Sequence, residues 1–237
     1  MKDEKILSAI NLLSFGFLMY ASYLFTTNQS AFNKDLNPVF NPAPYTFSIW
    51  MLIYLALLIW IIKGFFAKYK IKLMYLKVSL YFALCMVLNG VAILVPTTLS
   101  MIIIIGALAS SVIVYDIVDN LNIATRYRVP FSLLTGWLSV ATIVNISKFL
   151  RNMGFTSIFW IDEIGWTNIL LVLGAVLAIL FTITRNDILY PLTFVWGYIG
   201  ILVQNKDITS IFYVAIGMCV VIVIGIIYGK MRNIKNM

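Results

Sequence analysis

Histidine is absent from all 237 residues, and charge is scarce, with 11% of the chain Asp, Glu, Lys or Arg. The first absence removes the commonest transition-metal ligand, the usual haem axial ligand and the usual general base. The second excludes an ordinary soluble domain, in which about one residue in four is charged. Cysteine is limited to Cys85 and Cys219, each inside a different apolar run, so a secreted disulfide framework is excluded and both read as small hydrophobes. A soluble domain, a low-complexity tract and a strong internal repeat are also missing.

What is present is apolar sequence, 62% of the chain. A bilayer core about 30 Å thick needs roughly 20 apolar residues per helical span. Runs of that kind fall at about 6–26, 45–66, 74–95, 98–117, 129–149, 166–184, 187–204 and 208–229. The expected fold is an all-α integral membrane protein with about eight transmembrane helices. The first run follows "MKDEK" but is too long for a signal peptide and lacks a small-residue cleavage site, so it reads as helix one. The seventh is short and carries Pro191, which a membrane helix tolerates when neighbours satisfy the freed carbonyl.

The net charge of +8 does not point to nucleic acid, since the basic residues sit in short clusters between apolar runs. They read as topology signals. With the N-terminus inside, thirteen lysines and arginines fall on the cytoplasmic side and four (Lys34, Lys148, Arg151, Lys206) outside, which predicts a multi-pass cell-membrane protein with both termini cytoplasmic. The long connections 27–44 and 150–165 are then external, with Trp160 and Trp166 placed as interfacial aromatics.

Two stretches invite a functional reading. In "NPAPYTFSIWMLIY", Pro42 and Pro44 remove backbone donors and stiffen the approach to a helix whose Phe47, Trp50 and Tyr54 lie within about 60° on one face. Such a stripe serves either packing and interface anchoring or a ligand wall. In "VPFSLLTGWLSVATIVNIS", Trp137, Ala141 and Asn145 at i, i+4, i+8 present a ring, a small gap and an amide within about 80°. Asn145 is either an interhelical hydrogen-bond donor, with Gly136 and Ala141 permitting close packing, or the polar element of a pocket wall. Asn89 in "LCMVLNGVAIL" carries the same two readings.

These stretches resemble the translocator protein family, TspO/MBR, also called tryptophan-rich sensory proteins. "NPAPYTFSIWMLIY" looks like the Pro-rich, Trp-containing start of the family's second helix, "LN" at 88–89 is similar to its third-helix Leu-Asn, and "VPFSLLTGWLSVATIVNIS" resembles its fifth-helix signature. The resemblance covers residues 1–149, a five-helix membrane bundle, and leaves 150–237 as three additional transmembrane helices in the same membrane domain, an extension shared with longer bacterial-type members. It implies an intramembrane cavity, lidded by the first loop, for a hydrophobic ligand such as a porphyrin or sterol-like molecule. No cofactor is required; protoporphyrin or haem is the implied tetrapyrrole. The ligand-binding candidates are Pro42, Pro44, Phe47, Trp50, Tyr54, Asn89, Trp137, Ala141 and Asn145. Membrane lipid, the small-molecule ligand and a second copy in a homodimer are the expected partners. This chain departs from the pattern where Ala92 and Ile93 replace the family's tryptophan after the third-helix Asn, where the first loop has Phe32 and Phe40 instead of tryptophan, and where "VNISKFLR" has phenylalanine in place of the sterol-recognition tyrosine. The first two departures weaken a tetrapyrrole platform.

Two other classes stay open. A secondary transporter would show inverted repeats and a discontinuous span, which Pro191 could supply. An eight-span lipid hydrolase would need an acid pair, for which Asp116 and Asp119 are the candidates, although no histidine, metal cluster or activated serine accompanies them.

Overall fold

The computed structural model describes residues 2–27, 38–67, 69–121, 124–155 and 157–235. The expected first-loop residues 28–37, Phe32 and Lys34 among them, lie outside the described residues. Each of the eight apolar runs is a helix: α1 (Lys2–Thr27), α2 (Ile49–Phe65), α3 (Tyr69–Leu94), α4 (Thr97–Asn120), α5 (Val129–Asn152), α6 (Glu163–Arg185), α7 (Leu189–Gln204) and α8 (Thr209–Lys235). Helix is the expected state because hydrocarbon offers no partner for a free N–H or C=O, and a helix satisfies both within one segment. Seven segments are long and apolar enough to cross a bilayer; α7 is apolar but shorter, sixteen residues or about 24 Å. Two 3-10 turns, Pro44–Ser48 and Thr125–Tyr127, precede α2 and α5. The connection before α6 holds a two-residue hairpin, β1 (Ser157–Ile158) antiparallel to β2 (Ile161–Asp162).

The chain divides into two compact units. The first comprises Met1–Asp35 and Trp50–Leu138; the second comprises Leu36–Ile49 and Ser139–Met237. The division therefore falls inside α5 and assigns the proline-rich approach to α2 to the unit that holds α6–α8.

In the first unit α1 packs on α3 and α3 on α4. Close approach of α1 to α3 depends on Gly90, where an added Cβ would lie 2.6 Å from the Phe17 ring. The same pair is joined by polar groups: Asn11 donates to Ser79 Oγ at 2.9 Å, and Ser79 passes its own proton to Tyr75 O at 2.6 Å. Trp60, 2% exposed, centres an aromatic cluster with Tyr75, Phe82 and Phe131 at ring separations of 4.4, 5.1 and 5.0 Å.

In the second unit α6, α7 and α8 pack pairwise. The start of α7 shows how a proline enters a membrane helix without breaking it. A helix leaves its first four N–H groups unpaired. Here Asp187 Oδ1 accepts from Leu189 N–H at 2.8 Å and from Tyr190 N–H at 3.2 Å, Pro191 has no N–H, and Leu192 N–H reaches Ile188 O at 3.4 Å. All four positions are accounted for, so Pro191 belongs to the first turn and does not interrupt a span. Asp187 is 2% exposed and acts as the cap. Just before it, α6 closes on Asn186 in the left-handed conformation.

Helix α5 differs from the rest. Every residue from Phe131 to Val140 is buried, so this stretch has no polar or lipid-facing side. Its hydroxyls are consumed locally or by neighbours within each unit: Thr135 donates to Ser111 O at 3.3 Å, and Ser139 pairs with Tyr190 OH at 3.0 Å.

Candidate functional site

Residues 39–46 are held by α6 and α7 through backbone and side-chain bonds of long sequence range. Ala43 N–H donates to Gly200 O at 3.0 Å, Trp196 Nε1 donates to Thr46 O at 2.7 Å, and Asn205 Nδ2 donates to Val39 O at 3.0 Å. At the other end Val39 N–H donates to Glu163 Oε1 at 2.7 Å. Tyr45 stands edge-on to Trp196 at 5.8 Å. The contact requires glycine at 200, because a Cβ there would collide with Thr46 and Pro42. Proline suits this segment for a simple reason: positions 42 and 44 have no N–H to satisfy, and the one between them, Ala43, spends its own on α7.

Beside this segment the second unit forms a partly open cavity of about 290 Å³. Its walls are the C-terminal half of α5 (Ile143, Ile146, Ser147, Leu150, Arg151), the hairpin region (Phe155, Ser157, Ile158, Phe159), the start of α6 (Glu163, Trp166, Thr167, Leu170) and Phe40. The lining is mainly apolar, and Arg151 and Glu163 form an ion pair within it. Trp166 is set in this wall by its Nε1–H, which donates to Ile158 O at 3.0 Å and ties the hairpin to α6. The hairpin's two central residues, Phe159 and Trp160, have φ of 52° and 61°, the sign pattern of a type I′ turn that ordinarily selects Asn and Gly. Trp160 is 99% exposed. The first turn of α6 is capped by Asp162, whose Oδ1 accepts from Gly165 N–H at 2.8 Å.

The nine residues expected to bind ligand divide between the units. Trp50, Tyr54, Asn89 and Trp137 belong to the first; Pro42, Pro44, Phe47, Ala141 and Asn145 to the second. Trp50 stacks on Tyr54 at 5.2 Å, and Tyr54 faces α1, edge-on to Phe15 at 6.0 Å and hydrogen-bonded to Ser22 Oγ at 2.8 Å. Phe47 lies on the 3-10 turn instead of α2, so the three aromatics do not share one α-helical face. Asn89 donates to Cys85 O at 2.9 Å, and Asn145 donates to Ala141 O at 2.9 Å; each amide thus bonds one turn back along its own helix. Trp137 is 1% exposed. None of the nine lines the 290 Å³ cavity.

A family model described as TSPO-like protein matches residues 5–228. The chain belongs to this family. No curated protein and no solved structure matches it. The TSPO-like match reaches from α1 into α8, so α6 and α7 lie wholly within the matched range. Of the acid pair considered for hydrolysis in this TSPO-like chain, Asp119 forms an ion pair with Arg128. Among the described residues no group of three or more Cys, Asp or Glu is placed to hold a metal. The residues that sequence reasoning passed over are Arg151 and Glu163. Their signal was opposite charge at the two ends of a connection between apolar runs, where ionisable groups are seldom neutral in their effect.

Proposed function

We propose that this TSPO-like membrane protein binds a compact hydrophobic ligand in the cavity between α5, the hairpin and the start of α6, and acts as a sensor or carrier of that ligand. The observation that supports the reading is the cavity itself, apolar over most of its wall, with one charged pair and an indole in place to orient what enters. Its volume of 290 Å³ gauges what the wall can hold. A cavity of roughly 150 Å³ holds benzene, so this one takes about a dozen heavy atoms. Haem would find no imidazole in a chain without histidine. The positive-inside bias, thirteen basic residues against four, supports both termini in the cytoplasm and the cavity toward the outer side of the cell membrane.

The test is energy transfer from tryptophan to aminoanthracene in lipid nanodiscs. Saturable transfer that disappears in Trp166→Phe and falls sharply in Ser147→Phe, which fills the cavity, is the expected result. Transfer that grows linearly with probe and ignores both substitutions would leave only partition into lipid.

A further inference from the structure

The two charged groups in the cavity wall are not equivalent. Both oxygens of the Glu163 carboxylate are engaged, Oε1 by Val39 N–H and Oε2 by Arg151. Glu163 also sits in the first turn of α6, where the partial positive charge of the helix terminus offsets it further. Arg151 has five N–H donors in a rigid fork. Among the described residues its hydrogen-bond partner is Glu163, through Nη1, and its side chain keeps 35% of its exposure. Three other polar groups of the wall have committed their protons: Ser147 to Ile143 O at 3.0 Å, Thr167 to Glu163 O at 2.8 Å, and Trp166 to Ile158 O. Besides the exposed Ser157 hydroxyl at the hairpin, the guanidinium is the donor of the wall that keeps N–H groups for a ligand, and it is the charged one.

Resting on the reading of this cavity as a ligand site, we propose that its occupant is a single-chain amphiphile with an anionic head. The carboxylate or phosphate head bonds the free edge of the Arg151 guanidinium, and the chain lies among Phe40, Ile143, Ile146, Leu150 and Phe155. Space for about a dozen heavy atoms accommodates one medium alkyl chain with its head. The position suits the chemistry, since Arg151 lies in the last turn of α5, at the end of an apolar span where a charged head can keep contact with water.

The experiment measures quenching of Trp166 fluorescence by bromodecanoate, bromodecanol and bromodecylamine with the full chain in phosphatidylcholine nanodiscs at neutral pH. The expected order of affinity is acid, then alcohol, then amine, with the acid ahead of the alcohol by about tenfold or more, as a charge-assisted bond to guanidinium supplies. In Arg151→Gln the acid and alcohol should converge while the alcohol still binds, and in Arg151→Lys part of the preference should persist. Equal binding of acid and alcohol, or stronger binding of the amine, in the unaltered protein overturns the proposal whether or not the variants fold. If bromodecanol itself gives no quenching that depends on Trp166, the cavity reading fails and not merely the head-group assignment. Competition at constant phosphatidylcholine separates the sources: displacement of bromodecanoate by lysophosphatidylglycerol, which has one chain and a phosphate head, but not by decanoate assigns the head to a lipid phosphate, and the reverse assigns it to a free acid.

Discussion

Replacing Asp187 by alanine is the sharpest test of how the shortest helix is held. One carboxylate oxygen accepts from two backbone N–H groups at 2.8 and 3.2 Å, in a residue that is 2% exposed. Losing an N-cap acceptor costs typically about 1 kcal/mol and up to ~2. Here water cannot easily replace it, and a buried N–H left without a partner costs about 1–3 kcal/mol. The expected loss for Asp187→Ala is therefore about 2–4 kcal/mol, read as a fall in the midpoint of denaturant unfolding in mixed micelles. Asp187→Asn keeps the acceptor geometry and should recover most of that loss, because Asn and Asp are comparable caps. Pro191→Ala adds one buried N–H without an acceptor and should cost less than Asp187→Ala, which orphans two. An Asp187→Ala protein as stable as an Asp207→Ala control would refute the account of α7's first turn given above. So would an Asn variant as damaged as the Ala variant, which would mean that charge and not hydrogen bonding holds the turn.

Two further outcomes follow from the second unit. Gly200→Val drives a side chain into Thr46 and Pro42 and should lower stability by about 1–3 kcal/mol, as overpacking does, and weaken aminoanthracene transfer through the displaced Phe40; a fully stable variant with unaltered transfer would contradict the docking of residues 39–46 on α7. Replacing Phe159 and Trp160 by Asn and Gly fits the turn to its positive φ angles and should raise the unfolding midpoint in detergent by an amount equivalent to about 1–2 kcal/mol, and an unchanged or lower midpoint would show that the aromatics contribute more than their backbone costs.

The spans were legible because each is a long apolar run bounded by polar residues, and a bilayer leaves such a run one conformation. The partners were not. Asn89 and Asn145 announce that an amide must be satisfied in an apolar setting, yet a carbonyl one turn back serves as well as one on another helix, and here it does. The proline-rich approach was recognisable as shaped and donor-poor, but its partners on α7 stand about 150 residues further along, with a glycine, an indole and an amide that have no local signature. Aromatic periodicity drew attention to Trp50 and Tyr54, whose rings pack against each other and against α1. The cavity is walled instead by the ends of two helices and a two-residue hairpin. Its shape arises from where chain segments stop, which periodicity does not encode.

The bonds from residues 39–46 to α7 also set an order in time. Trp196 and Thr46 are 150 residues apart. At synthesis rates of about 5–20 residues per second, the approach segment waits roughly 8–30 s for the helix that completes it. Through that interval α1–α4 and the first turns of α5 can assemble, but Ala43 N–H and the carbonyl of Val39 have only water to bond. They must therefore stay at an aqueous boundary until α7 is inserted. A pause or truncation within the last three helices leaves this segment, though long since made, without its place in the fold.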